Sequence, residues 1–182
     1  REVDELVKRI EELLREMKKK NDESLKDSRD LLRELEKRVE RVIEEIEKLL
    51  RDLEELVRKE KGDDEVRKKL EDVLRKIEKL VRDLARELEE ALRRSKELSD
   101  RNRKDNEDLL RDVERLVDKA KKDGLDEKRL KKLLDELRDM SRKADRALRE
   151  LNKDVARKIE ELRRRLKKLL DEVKERADEL TK

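Results

Sequence analysis

The sequence carries an apolar pattern that repeats every eighteen residues along three long segments. The slot that holds Leu13, for example, holds Leu31 and then Leu49. Eighteen residues make about five turns of a straight α-helix, whereas a strict seven-residue repeat would impose a left-handed supercoil. The pattern therefore predicts long, nearly straight, untwisted helices that pack in a coiled-coil-like bundle.

Two glycines divide this pattern into three helical segments. Gly62 and Gly124 suit the left-handed position that follows a helix C-terminus, where a Cβ would be strained. Asp63 or Asp64 is a candidate cap for the second helix, and Asp126 for the third. Short turns make sequential helices antiparallel neighbours, so the predicted fold is all-α, one antiparallel up-down-up three-helix bundle. The expected ranges are about 1–61, 64–122 and 126–182, in a single domain over 1–182.

Small polar residues interrupt the apolar slots of all three helices. Ser28 shares a slot with Ile10 and Ile46, and Asn21 stands between Val3 and Val39 in another. The nine polar residues at such positions, which we call the polar layer, are Asn21, Ser24, Ser28, Ser95, Ser99, Asn102, Asn106, Ser141 and Asn152.

Folding the chain at its two turns brings the polar layer to one level. By equal rise in antiparallel helices, residue i of the first helix lies level with about 125 − i of the second. An unpaired buried amide costs about 1–3 kcal/mol, so several Asn at one level predict mutual hydrogen bonding. We expect two sublayers, Asn21, Ser24, Asn102, Asn106 and Ser141 in the lower and Ser28, Ser95, Ser99 and Asn152 in the upper.

The predicted role of the polar layer is to fix how the helices align. Such a layer is satisfied in one alignment and unsatisfied in the others, whereas Leu and Val layers tolerate sliding. For a single Ser, such as Ser99 or Ser141, the simpler interpretations are a hydrogen bond back to the i−4 carbonyl or exposure at the edge of the apolar stripe. A polar pocket for a small molecule is the functional alternative, which the missing aromatic walls and charged anchors disfavour.

The residue types of common catalytic and cofactor sites are missing. The chain has no His, no Cys and no aromatic residue, so histidine acid–base chemistry, thiol chemistry and His-containing metal sites have no donors. The Asp and Glu residues fall outside the apolar slots. We therefore expect a protein that is not an enzyme and has no catalytic residue, no cofactor and no metal.

The charges of the chain are nearly balanced. Its 57 basic and 54 acidic residues leave a net charge of +3, which gives no strong field for nucleic acid. No apolar run approaches the roughly 20 residues of a membrane span, and no targeting signal is evident, so we expect a soluble protein of otherwise unknown localisation. The basic segment 162–170, LRRRLKKLL, is interpreted as a solvated face, with a phosphate-binding patch as the alternative.

These features resemble de novo designed parametric helical bundles with buried hydrogen-bond networks. The resemblance rests on the Asn and Ser layer, the loops at Gly62 and Gly124, and the Glu, Lys and Arg surface. It implies a structural scaffold without a natural ligand, located in the cytoplasm of an expression host. The alternative is a protein-interaction module, either a homo-oligomer subunit or one half of a designed heteromeric bundle. We favour a monomer with no partner, because the polar layer can form within one chain.

Overall fold

Three long α-helices make up the fold. The computed structural model of the chain describes residues 2–59 and 64–181. The helices are α1 (Glu2–Lys59), α2 (Asp64–Lys122) and α3 (Lys128–Thr181). The predicted all-α three-helix bundle is therefore confirmed, while the caps predicted at Gly62 and Asp63 fall outside the described residues.

Contacts divide the chain into two compact units, and each unit contains a segment of all three helices. Unit 1 comprises residues 1–30 and 94–154, and unit 2 comprises residues 31–93 and 155–182. The single domain expected from the sequence stays a prediction, and each unit is described by itself below.

Unit 1 encloses an apolar cluster built from all three helices. Burial of each Leu, Ile or Val side chain stabilises the fold by about 1.5–3 kcal/mol. Along α3, Arg138 contacts Glu114 of α2, and Asn152 contacts Ser95. Because the α2 partner number falls as the α3 number rises, these two helices are antiparallel. The buried members of the cluster are Val7, Ile10, Leu13, Met17, Leu109, Val113, Val117, Ala120, Leu130, Leu134 and Leu137.

Unit 2 has its own apolar cores, and its ion pairs define the helix directions there. Glu40 and Glu54 of α1 contact Arg165 and Arg176 of α3, so the partner numbers rise together and α1 and α3 are parallel. The buried members of the larger core are Leu35, Val39, Val42, Ile43, Ile46, Leu50, Ile77, Leu84, Leu88, Ala91, Val155, Ile159, Leu162, Leu166 and Val173.

The turn between α2 and α3, in unit 1, follows the predicted capping chemistry. Gly124 has a φ of 73°, its N–H donates to the Lys121 carbonyl, and the Leu125 N–H donates to the Ala120 carbonyl. This pair of bonds is a Schellman motif, which satisfies the last carbonyls of a helix. Asp126 Oδ1 accepts a hydrogen bond from the Lys128 N–H at 3.2 Å. The predicted roles of Gly124 and Asp126 are thus confirmed, and α3 begins at Lys128 because Asp126 is its cap.

Candidate functional site

The nine residues of the predicted polar layer all belong to unit 1. Six of them are buried: Asn21, Ser28, Ser95, Ser99, Asn102 and Asn106. The other three, Ser24, Ser141 and Asn152, are only half-buried. The sequence predicted that all nine occupy core slots, and for these three the predicted burial was too deep. They occupy the edges of the apolar stripe rather than its centre.

The eighteen-residue slots predict depth most accurately along the centre of each helix. Ile10, Ser28 and Ile46, which share a slot, all have 0% exposure. Helix α1 therefore continues through the polar segment without a break. Ser28 is as deeply buried as Ile10 and Ile46, although its side chain is polar and theirs are apolar.

Contacts within unit 1 show which polar residues lie at similar heights. Asp4 of α1 contacts Arg129 of α3, 125 residues further along, so equal rise places Asn21 level with about residue 146 of α3. The two α2–α3 contacts place positions 102–106 level with about 144–147 of α3. Asn21, Asn102 and Asn106, which we call the amide cluster, therefore lie within about one helical turn of one another.

Only part of the polar layer is hydrogen-bonded. The Ser95 hydroxyl donates to Asn152 Oδ1 at 2.6 Å, which links α2 and α3. In contrast, Nδ2 and Oδ1 of all three residues of the amide cluster find no hydrogen-bond partner among the described residues, and neither does the Ser28 hydroxyl. Mutual bonding throughout the layer stays a prediction.

Helix α3 presents mostly apolar side chains at the level of the amide cluster. Ala144 and Leu148 are buried there, Leu148 with 1% exposure. The polar residues of α3, Ser141 and Asn152, stand to either side of them in sequence and are half-buried. The buried polar groups thus come from α1 and α2. The sequence already indicated that α3 is apolar at this level, because Leu148 shares its slot with Leu130 and Leu166, both almost fully buried.

Ion pairs between helices surround the cores. The eighteen-residue pattern did not predict them, because it orders the apolar slots and not the charged positions between them. In unit 2, Arg38 of α1 contacts Glu87 of α2 at 3.2 Å. The basic segment 162–170 contributes Arg163, which contacts Glu89, and Arg165, which contacts Glu40 at 2.8 Å. These pairs support the interpretation of that segment as a solvated, charge-balanced face rather than a phosphate patch.

Residues 2–59 and 64–181 contain neither a metal-binding cluster of acidic side chains nor a membrane-spanning helix. No group of three or more Asp or Glu side chains in these ranges is arranged to hold a metal ion. Within the same ranges, no helix combines the length and apolarity needed to cross a membrane.

No protein-family model and no curated protein matches this chain. Among solved structures, it is similar to a protein described as a "Computationally designed three helix bundle", with 22% sequence identity. That similarity covers 99% of this chain and 87% of the other, with a TM-score of 0.34.

Proposed function

We propose that the chain is a structural scaffold without a natural ligand or reaction, in which the polar layer holds the helices of unit 1 in one register. The observation that carries this proposal is the distribution of buried polar groups. All six buried polar residues of the described chain lie in unit 1. The other buried residues are hydrophobic, so the buried polarity of the described residues is confined to unit 1.

Concentration of the amide cluster at one level gives the register its energetic preference. A slip of α1 by one turn would move Asn21 by about 5.4 Å, away from Asn102 and Asn106 and against the apolar cluster. The amides of the cluster have no partner among the described residues, so the slip has a cost at Asn21 only if these amides bond one another, or a shared molecule, in the native register. Isolation of a buried amide among apolar side chains then costs about 1–3 kcal/mol. Slippage of α3 would also break the bond between Ser95 and Asn152. An all-apolar core lacks these penalties, because Leu and Ile pack acceptably in several alignments.

Two observations support a monomer. The described residues expose no large hydrophobic side chain, so they offer no apolar patch of the kind that recruits a partner. The residues of the amide cluster have 4%, 2% and 1% exposure for Asn21, Asn102 and Asn106. A second chain would have to separate the helices of unit 1 before it could reach these groups.

The second candidate function is a protein-interaction module, in which the polar layer pairs across chains. The specific observation in its favour is that the amides of Asn21, Asn102 and Asn106 have no partner among the described residues. Groups from another copy of the chain, or from a different helix, would supply partners if the bundle assembled in that way. Light scattering coupled to size exclusion separates the candidates, since the scaffold predicts one chain of 22.2 kDa and the module a multiple of it.

The register function is tested by an apolar variant in which each member of the polar layer is replaced by a residue from its own slot. The substitutions are Asn21→Val, Ser24→Leu, Ser28→Ile, Ser95→Ile, Ser99→Val, Asn102→Leu, Asn106→Leu, Ser141→Ile and Asn152→Leu. We expect the native chain to give one mass and one set of backbone amide resonances. The variant should give additional masses or several resonances for each residue of unit 1. A variant with one mass and one set of resonances would contradict the proposal.

A further inference from the structure

The amide cluster contains polar atoms that the protein itself does not satisfy. Six atoms, Nδ2 and Oδ1 of Asn21, Asn102 and Asn106, reach no hydrogen-bond partner among the described residues. All three side chains are more than nine-tenths buried. Buried polar groups in proteins are bonded in the great majority of cases, to protein or to ordered water. These atoms therefore point to a bound molecule.

The chemistry of the atoms defines what that molecule must be. Each amide offers a donor at Nδ2 and an acceptor at Oδ1, so the molecule must both accept and donate. A cation would satisfy only the oxygens, and an anion only the N–H groups. The buried polar residues of the described chain are all Asn or Ser, so no buried charge would compensate an ion. A small neutral molecule with both functions is required, and water meets that description.

A short side chain gives such a molecule room. On α3, Ala144 lies at the level of Asn106. Its side chain is much smaller than the Ile and Leu side chains that fill the rest of the core. A buried water needs only about 10–15 Å³ of free volume and typically makes about three hydrogen bonds. Asn102 and Asn106 are one turn apart on one face of α2, close enough to share a bridging molecule.

We propose that the amide cluster is an internal hydration site, in which one or more ordered water molecules bridge Asn21, Asn102 and Asn106. The inference goes beyond the register function, because a bound water would be present whether or not the cluster selects one alignment. It accounts for the unpartnered amides without a second chain. It also adds ordered water to the polar layer, which the sequence did not predict.

The test is water–protein NMR on the native chain with isotopically labelled Asn side chains. We expect cross-peaks between the water resonance and the Nδ2 protons of all three amides, with rotating-frame peaks opposite in sign to the diagonal. That sign excludes simple proton exchange, and laboratory-frame peaks of the same sign as the diagonal identify a water that stays bound. The absence of water cross-peaks at all three residues would overturn the proposal. Direct hydrogen-bond couplings between the amides, found instead of water cross-peaks, would overturn it too.

Two variants locate the water. Asn102→Leu should abolish the water cross-peaks of Asn21 and Asn106, while the control Lys104→Ala, at an exposed position between Asn102 and Asn106, should leave them unchanged. Persistence of the cross-peaks in Asn102→Leu would overturn the assignment of the water to this cluster. The outcome is independent of the register proposal, which is judged from the number of states of the apolar variant and not from hydration.

Discussion

Ile46→Ser places a hydroxyl in unit 2 at the position equivalent to Ser28. Ile46 has 0% exposure and belongs to the apolar core of unit 2, where the buried residues are hydrophobic. Truncation of a buried Ile to a small side chain costs about 2–5 kcal/mol, the range being set by how far the cavity closes. The hydroxyl adds about 1–3 kcal/mol if it stays unpaired, and a bond to the Val42 carbonyl reduces that addition. We expect a total loss of about 3–5 kcal/mol.

Guanidinium unfolding followed by far-UV circular dichroism measures this loss as a lower midpoint at unchanged slope. A slope of roughly 2–6 kcal/mol per molar converts the loss into a midpoint decrease of about 0.5–2.5 M. Glu45→Ser, at the exposed neighbouring position, is the matched control and should change stability by no more than about 0.5 kcal/mol. Equal midpoints for the two variants would refute the reasoning, because the slot would then not set the energetics of burial.

Three further predictions concern the turn and the surface. Gly124→Ala should lose about 1–2 kcal/mol, because the residue has a positive φ of 73° while a new Cβ would meet nothing within 4 Å; an unchanged unfolding midpoint would show that the left-handed conformation is not required. Asp126→Ala should lose about 0.5–2 kcal/mol of stability in chemical unfolding through the missing cap, and Asp126→Asn should retain most of it; equal losses in both would argue against capping. Arg165→Ala should lose less than about 1 kcal/mol, since its partner Glu40 is also exposed, and high salt should reduce the difference further; a larger, salt-independent loss of stability would contradict this.

Most of the fold could be predicted from the sequence because it depends on local and periodic signals. The eighteen-residue repeat indicated which residues face inward, and Gly124 and Asp126 marked a turn whose hydrogen bonds are local. Burial at the stripe centre followed from slot membership alone, as Ser28 and Ile46 demonstrate.

The candidate site was harder to predict because its properties depend on packing across helices. Slot membership did not separate the centre of the α3 stripe from its edges, so Ser141 and Asn152 were assigned too deep a position. The hydrogen-bond geometry could not be predicted from the sequence either, because a shared level brings Asn side chains near one another but does not orient them. The Ser95 hydroxyl and Asn152 Oδ1 are 2.6 Å apart. Asn102, about two turns further along α2, has no hydrogen-bond partner among the described residues.

The central claim, that the polar layer holds one helix register in unit 1, is tested most directly by distances between spin labels. The chain has no cysteine, so Lys19→Cys with Lys104→Cys, both exposed positions, gives one label on α1 and one on α2. Double electron–electron resonance on the labelled but otherwise native chain should give a single narrow distribution of distances between the two labels. The apolar variant with the same labels should give a broadened or second distance, because a slip of one turn moves a label by about 5.4 Å along its helix. The same single narrow distance in both chains would contradict the claim.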